Sequence, residues 1–169
     1  MHKSTYYDLT DITLTILSQI EERFKSNKDE ALNIISNLIN LKRGQQGYVP
    51  IHYASYRGNL ILIRKFIDYG ANYETLNNEG LNVLHLAAQG NQPLSIVYFV
   101  EEKGMILNVK DKVGSTPLHW ACYIGAENSI DFILSYKIDI NSQDNEGLTA
   151  LHLAVLSGKL IYLIEIRLG

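Results

Sequence analysis

Cysteine occurs once, tryptophan once and proline three times in this chain of 169 residues. A single thiol closes no internal disulfide, and Cys122, between Ala121 and Tyr123, reads as a small apolar helix residue rather than a nucleophile. Neither sign of charge dominates: 15 Lys and Arg stand against 18 Asp and Glu, a formal net charge of -3. That balance lacks the positive field a phosphate backbone attracts, so no nucleic-acid partner is expected. Long apolar runs are missing too. Leu60 to Ile63 and Leu160 to Ile164 are short and followed by charge, well below the roughly 20 residues of a membrane span. Asp8, Asp11, Glu21 and Glu22 interrupt any signal-peptide core. These absences predict a cytoplasmic chain with no direct membrane insertion. No carboxylate pair, glycine-rich phosphate loop or nucleophile with a base stands apart from the pattern described next, so neither a catalytic residue nor a cofactor is expected.

What the chain has is a period. His52, His85, His119 and His152 follow one another at 33, 34 and 33 residues, each five residues after a glycine (Gly47, Gly80, Gly114, Gly147) and two before an alanine. A fixed spacing of this size predicts a stacked array of like units. Each unit opens with a turn glycine that tolerates positive φ. A helix follows, with Pro50 or Pro117 suited to its first turn and Thr116 or Thr149 at its cap. Small alanines let helices approach closely, and Ile51, Leu84, Leu118 and Leu151 are expected to face the core between units. A second helix is visible in Leu60/Ile63/Phe66/Ile67, Ile96/Val97/Phe99/Val100 and Ile130/Ile133/Leu134.

Aligned on the histidines, the segments read GYVPIHYASYRG, GLNVLHLAAQG, GSTPLHWACYIG and GLTALHLAVLSG. The third resembles the ankyrin signature, a turn glycine before Thr-Pro-Leu-His-x-Ala, and the resemblance runs from Leu41 to about Gly169. It implies an all-α ankyrin-repeat solenoid, with repeats over residues 43–76, 77–110, 111–143 and 144–169, the last incomplete. Residues 1–42 are expected to form a helical N-terminal cap. There Ile12, Ile16, Leu17, Ile20 and Phe24 share one helical face, and Ala31, Ile34, Ile35, Leu38 and Ile39 share another. A partner-binding amphipathic helix is the alternative reading of this segment. The incomplete last unit offers no polar cap, and a continuation past Gly169 is expected.

Two readings of the histidines compete. Equivalent positions in stacked units lie about 8–10 Å apart, whereas zinc ligands converge to about 2 Å from one ion, so no metal site is expected. The resemblance implies instead that each imidazole hydrogen-bonds turn backbone, making His52, His85, His119 and His152, with their glycines, structural. The pattern also slips. Asn82-Val83 replaces Thr-Pro, Gly90 falls five rather than six residues after its histidine, and Lys137-Ile138-Asp139 replaces a glycine. A distorted helix-to-helix turn is expected near Gly90, and helix termination by other contacts near Lys137.

Ankyrin arrays are binding modules, so the resemblance implies a protein or peptide partner on a concave face of hairpin tips and first helices. Carried onto this sequence, that face holds Tyr48, Leu81, Val113 and Leu148 at the tips, and Tyr56, Arg57, Gln89, Tyr123, Ile124 and Leu156 on the helices. Trp120 has two possible places, in the core between repeats or with its edge on the groove beside Tyr53 and Leu86. A groove position would leave its indole N–H for a ligand. A further resemblance rests on Gly90-Asn91-Gln92-Pro93-Leu94-Ser95-Ile96 and Ser115 to Cys122, which look like the ankyrin regions of DHHC-type protein S-acyltransferases (palmitoyltransferases). It implies a cytosolic, substrate-recruiting region fused to or associated with a membrane protein. The chain has no Asp-His-His-Cys run, so no acyltransferase activity of its own is expected. The alternative role is a structural subunit, buried in a larger assembly through its N-terminal hairpin or last repeat.

Overall fold

A computed structural model describes the backbone of residues 3–158 and the side chains of residues 10–158. Nine α-helices and one π-helical turn follow in order among these residues: α1 (Lys3–Arg23), α2 (Lys28–Asn40), α3 (Pro50–Arg57), α4 (Leu60–Asp68), α5 (Val83–Gln89), α6 (Pro93–Val97), the π-turn Tyr98–Glu102, α7 (Pro117–Ile124), α8 (Glu127–Leu134) and α9 (Ala150–Leu156). Among the described residues the regular structure is all helical, and tight hairpins contribute the isolated antiparallel bridges Arg43 with Tyr48 and Gln143 with Thr149.

Helices α1 and α2 form a hairpin joined at Asn27, whose Oδ1 accepts the Glu30 N–H and caps α2. Leu17, Ile35 and Ile39 are buried in the common core, and Ala31 is buried too. The Asn40 amide ties the hairpin to the first repeat, donating to the Gly70 carbonyl at 2.9 Å and accepting the Asn72 N–H at 2.8 Å. Asn59 Nδ2 reaches back to Thr10 Oγ1 at 2.7 Å. The covered stripe of α1 is narrower than its sequence suggests, because Ile12 and Ile16 are exposed. At about 100° per residue these two lie to one side of Leu17 and Ile20, the residues that pack.

Between the histidines and the second helices the register is constant. Ile63, Ile96 and Ile130 stand eleven residues after their histidines, Phe66, Phe99 and Ile133 fourteen, and all six are buried. Burying such side chains stabilises by about 1.5–3 kcal/mol each. Leu151 breaks the parallel with Ile51, Leu84 and Leu118: it is 56 % exposed, since no later repeat among the described residues packs on it. The expected continuation past Gly169 lies outside the described residues.

Gly90 has an ordinary right-handed backbone, and Asn91 takes the left-handed conformation at φ 55°. Asn91 is the sixth residue after its histidine, the place held by left-handed Gly58 and Gly125 in neighbouring repeats. The turn expected to be distorted therefore keeps its register. Glycine is needed at 90 for a different reason: a Cβ there would sit 1.9 Å from the Tyr56 carbonyl oxygen. The extra residue of this repeat enters further on, in the π-turn, whose wider ring absorbs one residue without ending the helix. In the third repeat, α8 ends without a left-handed residue. Ser135 Oγ donates to the Phe132 carbonyl, and the Ser135 and Tyr136 N–H groups donate to Asp131 and Ile133.

Candidate interaction surface

The hairpin tips are copies of one turn. Gly47, Gly80, Gly114 and Gly147 all have φ between 68° and 83°, a region that costs other L-residues about 1–2 kcal/mol. In three of the turns a side-chain oxygen adds to the backbone pairing. Asn77 Oδ1 accepts the Glu79 and Leu81 N–H groups, Asp111 Oδ1 those of Val113 and Ser115, and Asp144 Oδ1 those of Glu146 and Leu148. Successive tips are joined: Asn78 N donates to Gln46 O, Lys112 N to Glu79 O, and Asn145 N to Val113 O, at 2.8 to 3.0 Å.

The histidines tie helices to these tips. Each Nδ1 accepts the N–H of the residue three positions earlier, Val49, Asn82, Thr116 or Thr149, at 3.2 Å. Accepting there leaves the proton on Nε2. Nε2 of His52 donates to Thr75 O at 2.9 Å, that of His85 to Ser115 O at 3.2 Å, and that of His119 to Leu148 O at 3.1 Å. The bonds of His85 and His119 cross to the next repeat, and that of His52 closes on the end of its own. Burial pushes the pKa of His52 down and that of His85 down to about 4, so these imidazoles are neutral at physiological pH. His152 repeats the local bond but is exposed. Burial also pushes the Cys122 thiol up to about 12, which removes it as a nucleophile. Among the described residues no three His, Cys, Asp or Glu side chains gather as metal ligands.

The surface built by tips and first helices holds most of the residues expected there, at differing exposure. Tyr56, Arg57, Val113, Tyr123, Ile124 and Leu156 are exposed, and Tyr48, Gln89 and Leu148 are half-buried. The Arg57 guanidinium lies 6.0 Å from the centre of the Tyr56 ring. Tyr48 packs edge-on against His52 and Tyr53, and burial, reinforced by Glu79, pushes its phenol pKa up.

Leu81 does not belong to this surface. It is 2 % exposed, because the left-handed Gly80 and the two bonds to Asn77 turn the next residue inward between neighbouring hairpins. Ser115, at the same position one repeat on, is buried for the same reason.

Trp120 is half-buried at the rim of a cavity of 380 Å³ shared by the third and fourth repeats, with Val113, Tyr123, Asp144, Glu146 and Leu148 among its lining. Its ring stands edge-to-face on Tyr123, with centroids 6.3 Å apart. The indole N–H is not spare: it donates to Asp111 Oδ2 at 2.9 Å. Asp144 and Leu153 are lining residues that the carried-over pattern passed over. The signal was present for Leu153, which follows His152 as Trp120 follows His119.

Two stretches match family descriptions: residues 38–87 match "Ankyrin repeats (many copies)" and residues 94–166 match "Ankyrin repeats (3 copies)". Among curated proteins the chain is similar to the palmitoyltransferase AKR1 of Lachancea kluyveri, 27% identical over 133 residues, which is 75% of this chain and 18% of that protein. It is similar to "Probable 26S proteasome regulatory subunit p28" of Saccharomyces cerevisiae, 28% identical over 161 residues, 94% of this chain and 64% of that protein. It is also similar to the human "SH3 and multiple ankyrin repeat domains protein 2", 28% identical over 115 residues, 68% of this chain and 6% of that one. The chain thus spans from a small fraction to just under two thirds of these relatives. What is common to a palmitoyltransferase, a proteasome subunit and a multidomain protein is the repeat and not the activity. With the period, the tip hairpins and the histidine bridges in place, the chain belongs to the ankyrin-repeat family.

Proposed function

We propose that this chain is a protein-binding module that holds a segment of a partner protein across its hairpin tips and first helices. The observation that carries this is the division of labour among side chains. The histidines, Asn77, Asp111 and Asn82 spend their polar atoms inside the scaffold, while Tyr56, Val113, Tyr123 and Ile124 are exposed beside them. Exposed tyrosine flanked by apolar residues is what a protein interface uses as an anchor, since it buries a large area and keeps a polar tip. Catalysis then belongs to other polypeptide, and this chain supplies recognition.

Affinity capture with the wild-type chain and a Tyr56→Ala/Tyr123→Ala variant tests the reading. Proteins retained by the wild type are expected to be lost from the variant, while its urea midpoint stays unchanged. Identical captured sets would remove this surface as the binding face.

The similarity to a palmitoyltransferase supports a narrower version, in which the module presents substrate proteins to a membrane-bound acyltransferase from the cytosolic side. A structural role in a larger assembly has its own support in the exposed Ile12, Ile16 and Leu38 of the N-terminal hairpin. Light scattering separates the two: a monomer at micromolar concentration argues against self-assembly through that hairpin.

A further inference from the structure

Asp111 and Asp144 hold the same place in successive hairpins and differ in one oxygen. In both, Oδ1 accepts two N–H groups of the turn, at 2.8 to 3.0 Å. Asp111 Oδ2 also accepts the Trp120 indole N–H at 2.9 Å. Asp144 Oδ2 has no hydrogen-bond partner among the described residues, because Leu153 stands where the third repeat has its tryptophan. Asp144 lines the 380 Å³ cavity, where Glu146 brings a second carboxylate. Trp120 and Tyr123 form two walls, their ring planes 88° apart. No lysine or arginine lines the cavity, and Lys110 Nζ donates to the Gln143 carbonyl at 2.7 Å.

We propose that this cavity is a socket for an arginine side chain of the bound partner segment. A guanidinium fits its chemistry on two counts. It is planar and stays charged, so it donates in pairs to carboxylates such as Asp144 and Glu146. Its flat face and aliphatic stem pack on aromatic rings such as Trp120 and Tyr123. A lysine ammonium would satisfy the carboxylates but, as a compact and strongly hydrated charge, would use the ring walls less. The socket rests on the reading of this face as the binding surface, and adds the charge of what is held there.

Trp120 is the only tryptophan, so its indole N–H is a single reporter in an NMR titration of the whole chain. Acetyl-Gly-Arg-Gly-amide is expected to shift that signal saturably. The citrulline analogue, similar in shape and neutral, should bind about tenfold more weakly, as for loss of a charge-assisted hydrogen bond. Asp144→Asn should weaken the arginine peptide by a similar factor. That variant keeps its hairpin, because Asn77 already serves the same turn in the second repeat through its Oδ1. Equal responses to the arginine and citrulline peptides, no response to either, or tighter binding of acetyl-Gly-Lys-Gly-amide overturns the arginine socket. The wider reading is separable: partners lost from Tyr56→Ala/Tyr123→Ala but kept by Asp144→Asn leave the binding face in place and remove the socket.

Discussion

In the second repeat the residue after the histidine is Leu86, 5 % exposed; in the third it is Trp120, half-buried and hydrogen-bonded to Asp111. Both sit on a frame made by the same bonds, a histidine Nδ1 to the helix start and Nε2 to the next hairpin. The frame fixes where a side chain emerges and leaves its chemistry free. The second repeat spends that freedom on closing the core, and the third on a polar aromatic edge beside a cavity. Repeats that share these bonds thus differ in the side chains they present.

Three changes test how far this contrast goes. Gly90→Ala should have the largest effect, about 2–3 kcal/mol of lost stability by urea unfolding, because its Cβ would meet backbone that has no room to move. Gly125→Ala, one repeat on, should cost only about 1 kcal/mol, the usual cost of a left-handed alanine. Similar values for the two would mean that the second turn is not crowded.

Acidification should come next. His85 has its pKa lowered by burial to about 4, against 6.5 ordinarily. A lowered histidine stabilises fully above the unfolded value, and that contribution is lost as pH falls from 6.5 toward 4. About 2 kcal/mol should be gone at pH 5. Urea midpoints at pH 7.5 and 5.0, with the His85 ring resonances followed by NMR, check this; a ring that titrates near 6.5 would contradict the buried frame.

Trp120→Phe should have the smallest effect, about 1 kcal/mol, since it removes one hydrogen bond at a half-exposed site. A loss as large as that of Gly90→Ala would make Trp120 a core residue after all.

The all-helical array was legible because its signals are local and repeated: four glycines, four histidines and a constant offset to the buried isoleucines. What escaped depends on contacts between repeats. The inward turn of Leu81 follows from the hairpin that covers it: it stands after its turn glycine, as buried Ser115 does, whereas Val113, 58 % exposed, stands before its own. The early glycine at 90 points to a damaged turn, yet the left-handed place six residues after the histidine is filled by Asn91. The open oxygen of Asp144 is visible only by comparison with Asp111, whose second oxygen is held by a tryptophan nine residues away.

The π-turn at Tyr98–Glu102 carries one more consequence. Its two acids reach in opposite directions along the stack: Glu102 takes both Arg64 amino groups, at 2.6 and 3.0 Å, and Glu101 accepts the Tyr136 hydroxyl. The added residue therefore becomes a clasp on the side of the second helices, and the tip-to-tip bonds keep their step on the other. Added length is absorbed on one edge of the molecule, so an unequal repeat still leaves the hairpin tips on the other in constant register.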